Sequence, residues 1–201
     1  MTALAPSLLR RLARGRRGAT IIEFALVLPV MLTVIMGLGE LTYQQYVQAI
    51  LTGAVQKAGR DSTIQGAGGQ TSQIDATVMQ MVRQVATDAT FDSKRSSYAS
   101  FAAVAPEPFV DTAGTGVYDS TKDCFTDLNG NSSWDADPGS TGQGSANDVT
   151  VYSIRIYYQR LFPVAALIGM SQTATLTGRT VLKNQPWAAQ NAYAPKQICP
   201  K

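Results

Sequence analysis

Histidine is absent from this 201-residue chain. That removes Ser-His-Asp and Cys-His nucleophilic chemistry and every metal site built on imidazole. Charge is scarce as well: Asp, Glu, Lys and Arg together make up 15% of the residues, where ordinary soluble domains carry about 25%. There is no P-loop, and no Gly-x-Gly-x-x-Gly follows a strand, so the glycine-rich stretches read as loops without a phosphate-binding pattern. No internal repeat is found, which excludes a solenoid. Two cysteines are too few for a disulfide-dense scaffold. What remains is 45% apolar residues, enough for a core, in a length that suits one domain plus an anchor.

The charges present are unevenly placed. Arg10, Arg11, Arg14, Arg16 and Arg17 all precede the first acidic residue, Glu23, and residues beyond 18 carry 12 basic against 14 acidic side chains, a net charge of −2. The overall charge of +3 therefore reports a basic leader, not a basic binding face. No helix or strand shows a Lys/Arg stripe with interleaved aromatics, so nucleic acid is not an expected partner.

After the leader comes a long apolar run. Phe24 to Gly39 is uncharged, and the stretch Ala19–Leu41 is 23 residues, enough for a helix to cross roughly 30 Å of hydrocarbon. The arginines on one side only put residues 1–18 in the cytoplasm and the rest outside. Pro29 is expected to kink this helix, and Gly37 and Gly39 to loosen its end. Glu23 is the informative side chain. A carboxylate at the membrane edge is costly without a partner, which marks it as a functional candidate; simple hydration at the interface is the alternative.

The run Arg16-Arg17-Gly18-Ala19-Thr20-Ile21-Ile22-Glu23-Phe24 has a glycine after basic residues, a glutamate five residues later, and then the apolar stretch. It resembles the type IV prepilin signal, and the whole segment RRGATIIEFALVLPVMLTVIMGLGEL is similar to the N-terminal region of TadE-like proteins of tight-adherence (Flp) pilus systems. The resemblance implies cleavage between Gly18 and Ala19 by a prepilin peptidase. Glu23 would then be the fifth mature residue, meeting the N-terminal amine of a neighbouring subunit, with Phe24 where Flp-type pilins carry tyrosine. An ammonium and a carboxylate in low dielectric attract strongly, and each relieves the other's burial cost. It further implies a minor pilin or pseudopilin that makes no covalent chemistry. Its partners would be other pseudopilins, the major pilin, the prepilin peptidase and an inner-membrane assembly platform. An ordinary secretory signal is the rival, with Gly37-Leu38-Gly39 as a small-x-small cleavage site before Glu40. An uncleaved membrane-anchored scaffold is a second alternative. A secreted enzyme is a third; without histidine or paired carboxylates it would have to recruit Asp127, Asp135 and Asp137 as a metal hydrolase site.

The expected fold is α+β: leader 1–18, transmembrane helix 19–41 and an exported pilin-like domain 42–201. The anchor helix is expected to run on as an amphipathic helix to residue 60, with Val47, Ile50, Leu51, Ala54, Val55 and Ala58 on one face. Gly66–Gln70 reads as a loop, with Thr71 or Ser72 capping a second helix that presents Ile74, Val78, Met81, Val82 and Val85. Short strands are expected near 98–105 and 109–111. Alternation in Tyr152–Tyr158, and a threonine-rich face in 171–182, predict a hairpin joined by Leu161–Met170. The proline-containing tail is expected to be irregular.

Cys124 and Cys199, both beyond the membrane segment, suggest one disulfide in an oxidising compartment, with two free thiols as the alternative. In the chain-entropy model such a bridge stabilises by roughly 4 kcal/mol. Asp127, Asn129, Asn131, Asp135 and Asp137 place oxygens at alternate positions, as calcium loops do. The glycine stands fourth and Pro138 occupies the place of the bidentate glutamate, so a metal-free turn built on Asn129-Gly130 is the alternative.

Overall fold

A computed structural model of the protein describes residues 17–63, 67–186 and 194–200. The leader arginines Arg10, Arg11, Arg14 and Arg16, and Gly66, lie outside the described residues. The architecture is α+β, as expected. Helix α1 runs unbroken over Arg17–Ser62. A 3₁₀ turn, Ala67–Gln70, leads into α2, Thr71–Arg83. Seven strands and one short helix follow: β1 Thr90–Tyr98, β2 Phe109–Val110, β3 Cys124–Asp127, β4 Ser140–Thr141, β5 Val149–Gln159, α3 Val164–Leu167, β6 Thr173–Lys183 and β7 Lys196–Ile198. They make a four-stranded antiparallel sheet, β4-β1-β5-β6, and a three-stranded one, β2-β3-β7. The chain divides into two compact units. The described part of the first is 17–44 with 160–172, and the second holds 45–159 with 173 onward.

In the second unit, β5 is the centre. Alternation turns Tyr152, Ile154, Ile156 and Tyr158 to one face, where all four are buried. Ile156 stands opposite Leu176 of β6, and Tyr158 opposite Ala174. The threonine-rich face of β6, Thr175, Thr177 and Arg179, is exposed, as the alternation predicts. The 45–62 part of α1 covers the buried face with Val47, Leu51, Ala54, Val55 and Ala58. Its approach depends on glycine: a Cβ at Gly178 would stand 2.8 Å from Val55 and 3.1 Å from Leu51. The opposite face of β5 is used at one end only, where Val149 and Val151 pack with Tyr98 and Ala103.

Several local expectations are corrected. Helix α2 has no side-chain cap; Thr71 is its first residue and Gln70 precedes it. The buried face of α2 is Asp75, Val78, Met79 and Val82, rotated from the expected stripe. The strand expected at 98–105 lies earlier: β1 ends at Tyr98, and Phe101–Ala103 is a 3₁₀ turn. The reason is a polar sequence, TFDSKRSSY, that is stabilised by partners and not by its own apolar content. The tail is not wholly irregular, because Lys196–Ile198 pairs with β3.

Asp75 explains the shift in α2 and the burial of β1. Its carboxylate takes two hydrogen bonds from the Arg95 guanidinium, at 2.6 and 3.1 Å, one from Ser93 Oγ and one from Tyr152 Oη, both at 2.6 Å. The Arg95 guanidinium also lies 4.2 Å from the centre of the Tyr152 ring. Burial alone would raise the Asp75 pKa; these hydrogen bonds and the Arg95 charge outweigh it and hold the carboxyl below its ordinary value. A carboxyl depressed in the fold stabilises fully above the unfolded value of about 3.9, and that stability is lost as pH falls through the lower folded value.

Urea unfolding of the full chain in detergent is expected to show this. Asp75→Asn or Arg95→Met should cost about 3–5 kcal/mol near neutral pH, because a buried partner is stranded. Below about pH 4 the wild type should lose stability more steeply than Asp75→Asn. Parallel acid limbs in the two proteins would refute the assignment.

Candidate functional site

Two groups of residues singled out by sequence are placed by the structure, one in each unit. The first lies on α1. Ile21, Phe24, Leu26, Val27, Val30, Val34, Ile35 and Leu38 are each more than half exposed, so this half of the helix is apolar all round. A helix with that surface is stable in hydrocarbon, not in water. It is also the one described helix long and apolar enough to cross a membrane. Two of its hydroxyls are satisfied locally: Thr33 Oγ1 donates to the Pro29 carbonyl at 2.8 Å, and Thr42 Oγ1 to the Leu38 carbonyl at 2.9 Å. The helix continues through Pro29.

Gly18 and Ala19 belong to the first described turn of α1, and among the described residues nothing lies within 4 Å of the place a Cβ would take at Gly18. Glu23 and Phe24 are exposed one turn further on, and among the described residues Glu23 enters no ion pair. The carboxylate is thus presented outward from an apolar helix.

Glu40 is a residue that sequence reasoning used only as a boundary marker. It is 6% exposed. Its carboxylate accepts the Leu161 and Phe162 backbone N–H groups at 3.0 and 3.2 Å and pairs with Arg160 at 3.4 Å. The Phe162 ring lies against Gly39, where a Cβ would come to 3.1 Å. A signal was present: Glu40 stands seven residues before Val47 and so shares its helix face.

The second group is built around β3. Cys124 and Cys199 form a disulfide beside the β3–β7 pairing, which fastens the tail to the three-stranded sheet. Phe109, Tyr118, Phe125 and Trp134 pack together there, with Tyr118 and Trp134 stacked at 4.8 Å. The acidic loop follows. Asp127, fully buried, accepts the backbone N–H groups of Asn129, Gly130 and Ser132 at 3.2, 2.6 and 2.9 Å. Asn129 and Asn131 donate their side-chain amides to Asp135 at 2.8 and 2.6 Å, while their oxygens accept the N–H groups of Asn131 and Ser133. Asp137 accepts the Tyr98 hydroxyl at 2.6 Å. Burial, then this contact with Asp137, pushes the Tyr98 pKa up.

Sequence reasoning missed Glu107. It is 1% exposed, accepts the N–H groups of Leu128 and Asp135 at 2.7 and 3.0 Å, and its carbonyl accepts the Trp134 indole N–H at 2.8 Å. No local pattern marks it, since its partners lie more than twenty residues away. The oxygens expected to hold calcium are therefore engaged in an Asx-rich turn braced by Glu107. Among the described residues no group of three or more His, Cys, Asp or Glu side chains is placed as a metal site. A cation would compete with these hydrogen bonds for the same oxygens.

Asp127→Ala removes the acceptor of three backbone donors; Gly130 and Ser132 are exposed and can turn to water, so the loss stays near that of one or two buried unsatisfied groups, each about 1–3 kcal/mol. The variant should therefore be less stable by roughly 2–4 kcal/mol in the absence of any metal. Melting of the wild type with and without millimolar calcium decides the metal question separately: a rise in Tm marks binding to the native state, and no rise leaves the turn alone.

Residues 18–60 match the family model described as TadE-like protein, covering Gly18, Glu23, Glu40 and the start of the α1 core face. No curated protein and no solved structure matches the chain. The match is confined to that segment, so it is over residues 18–60 that this chain is similar to TadE-like proteins.

Proposed function

We propose that the protein is a minor pilin or pseudopilin of TadE type that takes part in assembling a Flp-type, type IV-like pilus. The observation that carries the reading is an apolar helix, exposed on all sides, that bears Gly18 and an outward-facing Glu23 within the TadE-like segment. The helix anchors the chain once in the inner membrane, with the leader in the cytoplasm and the C-terminal domain in the periplasm or outside. A prepilin peptidase cuts between Gly18 and Ala19. Glu23 then pairs with the new N-terminal amine of a neighbouring subunit and sets the register of one membrane helix against the next. Other pseudopilins, the major pilin and an inner-membrane assembly platform are the partners. The role is structural, and no bond is made or broken by this chain.

Two features favour this over a cleaved secretory signal. Gly37-Leu38-Gly39 lies in the hydrogen-bonded interior of α1, and Gly39 is covered by Phe162. Gly18, by contrast, has no neighbour beside it among the described residues.

Because no described residue crowds Gly18, Gly18→Phe tests processing without disturbing the packing described above. Co-expressed with the cognate peptidase, the wild type should shorten to an N-terminus at Ala19 while the variant stays full length. Equal migration of both at full length would remove the cleavage step and favour an uncleaved scaffold.

Glu23→Ala should leave the amount of membrane-inserted protein and the stability of the C-terminal domain unchanged, since the side chain is exposed and makes no described ion pair. Pilus number should fall sharply, and Glu23→Gln, which keeps shape but not charge, should fail similarly. Normal piliation in either variant would reduce Glu23 to a hydrated interfacial residue.

A further inference from the structure

We propose that the β5–β6 connection, Leu161–Met170, is a second membrane contact whose apolar side chains enter the lipid interface beside the anchor helix. The inference rests on the membrane-anchored reading above and adds to it a lipid-binding surface in the C-terminal part of the chain.

Composition is the first argument. The ten residues LFPVAALIGM contain no charge. A tight antiparallel hairpin needs a loop of two to five polar, turn-forming residues. Here Gln159 pairs with Thr173, and the whole of 160–172 lies between them. Leu161, Leu167, Ile168 and Met170 are 59%, 73%, 69% and 53% exposed. Four large apolar side chains gathered on one loop are costly to leave in water.

Position is the second. The connection belongs to the same compact unit as residues 17–44 of α1. Arg160 meets Gln44 and Glu40, the N–H groups of Leu161 and Phe162 meet Glu40, and the Phe162 ring meets Gly39. The chain thus descends along α1 toward its apolar half as it enters the loop.

Charge is the third. Glu40 is the sole charged residue of α1 between Glu23 and Lys57. It is enclosed by Arg160 and two backbone donors, and Arg160 is itself largely covered. The root of the loop therefore presents a neutral, internally paired ion pair.

Backbone satisfaction separates lipid from a protein partner. The N–H groups of Ala166, Ile168, Gly169 and Met170 all donate to carbonyls of residues 163–166. Those of Leu161 and Phe162 are taken by Glu40. At least six of the nine backbone N–H groups of 161–170 are thus met locally or by Glu40. An uncharged segment that meets most of its own donors suits the lipid interface, whereas a protein interface carries a polar rim and about one hydrogen bond per 100–200 Å².

The test uses the full chain reconstituted in phosphatidylcholine vesicles. Cys124 and Cys199 are bonded to each other and no described cysteine is free, so an introduced thiol can be labelled without reduction. An environment-sensitive fluorophore is placed singly at Ile168→Cys, at Val34→Cys as a membrane control and at Ser120→Cys as an aqueous control. Position 168 should emit blue-shifted relative to 120 and lose more intensity to a spin label near the lipid headgroup than to one deep in the acyl chain. Position 34 should show the reverse order, and position 120 should respond to aqueous iodide alone. If 34 is quenched by lipid labels while 168 behaves like 120, the loop proposal falls and the anchor stands. If neither 34 nor 168 responds to lipid labels, the membrane reading itself fails and takes the inference with it. Shielding of 168 from both lipid labels and iodide would assign the loop to a protein contact and overturn the proposal.

Discussion

One backbone ladder, that of α1, has to serve two different surroundings. A helix satisfies its own N–H and C=O groups wherever it lies, which makes it the economical way to join an apolar stretch to a domain. The side chains change around it. Up to Leu38 they are apolar on every side; from Val47 they are apolar on one face only, the face that covers β5 and β6. Glu40 stands where the two patterns meet, with its carboxylate turned to Arg160 and to the N–H groups of Leu161 and Phe162. A single acidic side chain therefore holds the start of the β5–β6 connection against the helix.

Polar burial recurs elsewhere with the same logic. Asp75, Arg95, Ser93 and Tyr152 join α2, β1 and β5 through four hydrogen bonds that converge on the Asp75 carboxylate. Gln143 and Asn184 do so for the loop before β5 and the end of β6, with Thr150 Oγ1 donating to the Gln143 carbonyl. Glu107 and Asp127 organise the Asx-rich turn by accepting backbone donors. Each is favourable because the groups satisfy one another, and each would be costly if one member were removed. The C-terminal domain thus gains specificity from a few buried polar clusters, in which Arg95 Nε and Gln143 Oε1 alone are left without a partner among the described residues, as well as from its modest apolar core.

Where periodicity was long and partners were near in sequence, the chain was readable. The faces of α1, the alternation of Tyr152–Tyr158 and the hairpin to β6 all appear as expected, because a helix stripe and a strand alternation are local consequences of 3.6- and 2-residue repeats. The pairing of Cys124 with Cys199 followed from there being two cysteines on the same side of the apolar run. Strand β1 was not legible: Arg95, Ser96 and Ser97 look like loop residues, and they are buried only because Asp75, Tyr152 and the neighbouring strands meet them. Strand β7 was hidden for a similar reason, since its three residues are a strand only through pairing with Phe125, Thr126 and Asp127.

The sequence by itself determined the long apolar character of residues 19–41, the Gly18–Glu23 spacing and the resemblance to TadE-like proteins, because these depend on composition and spacing along one helix. Only the tertiary structure decided what Glu40 and Glu107 do. Each is a carboxylate whose role depends on which donors come within 3 Å or so of it. For Glu40 those donors are 120 or more residues away, and for Glu107 more than twenty. No local pattern can announce a partner at that separation; it exists only once the sheet has brought the chain back to the helix.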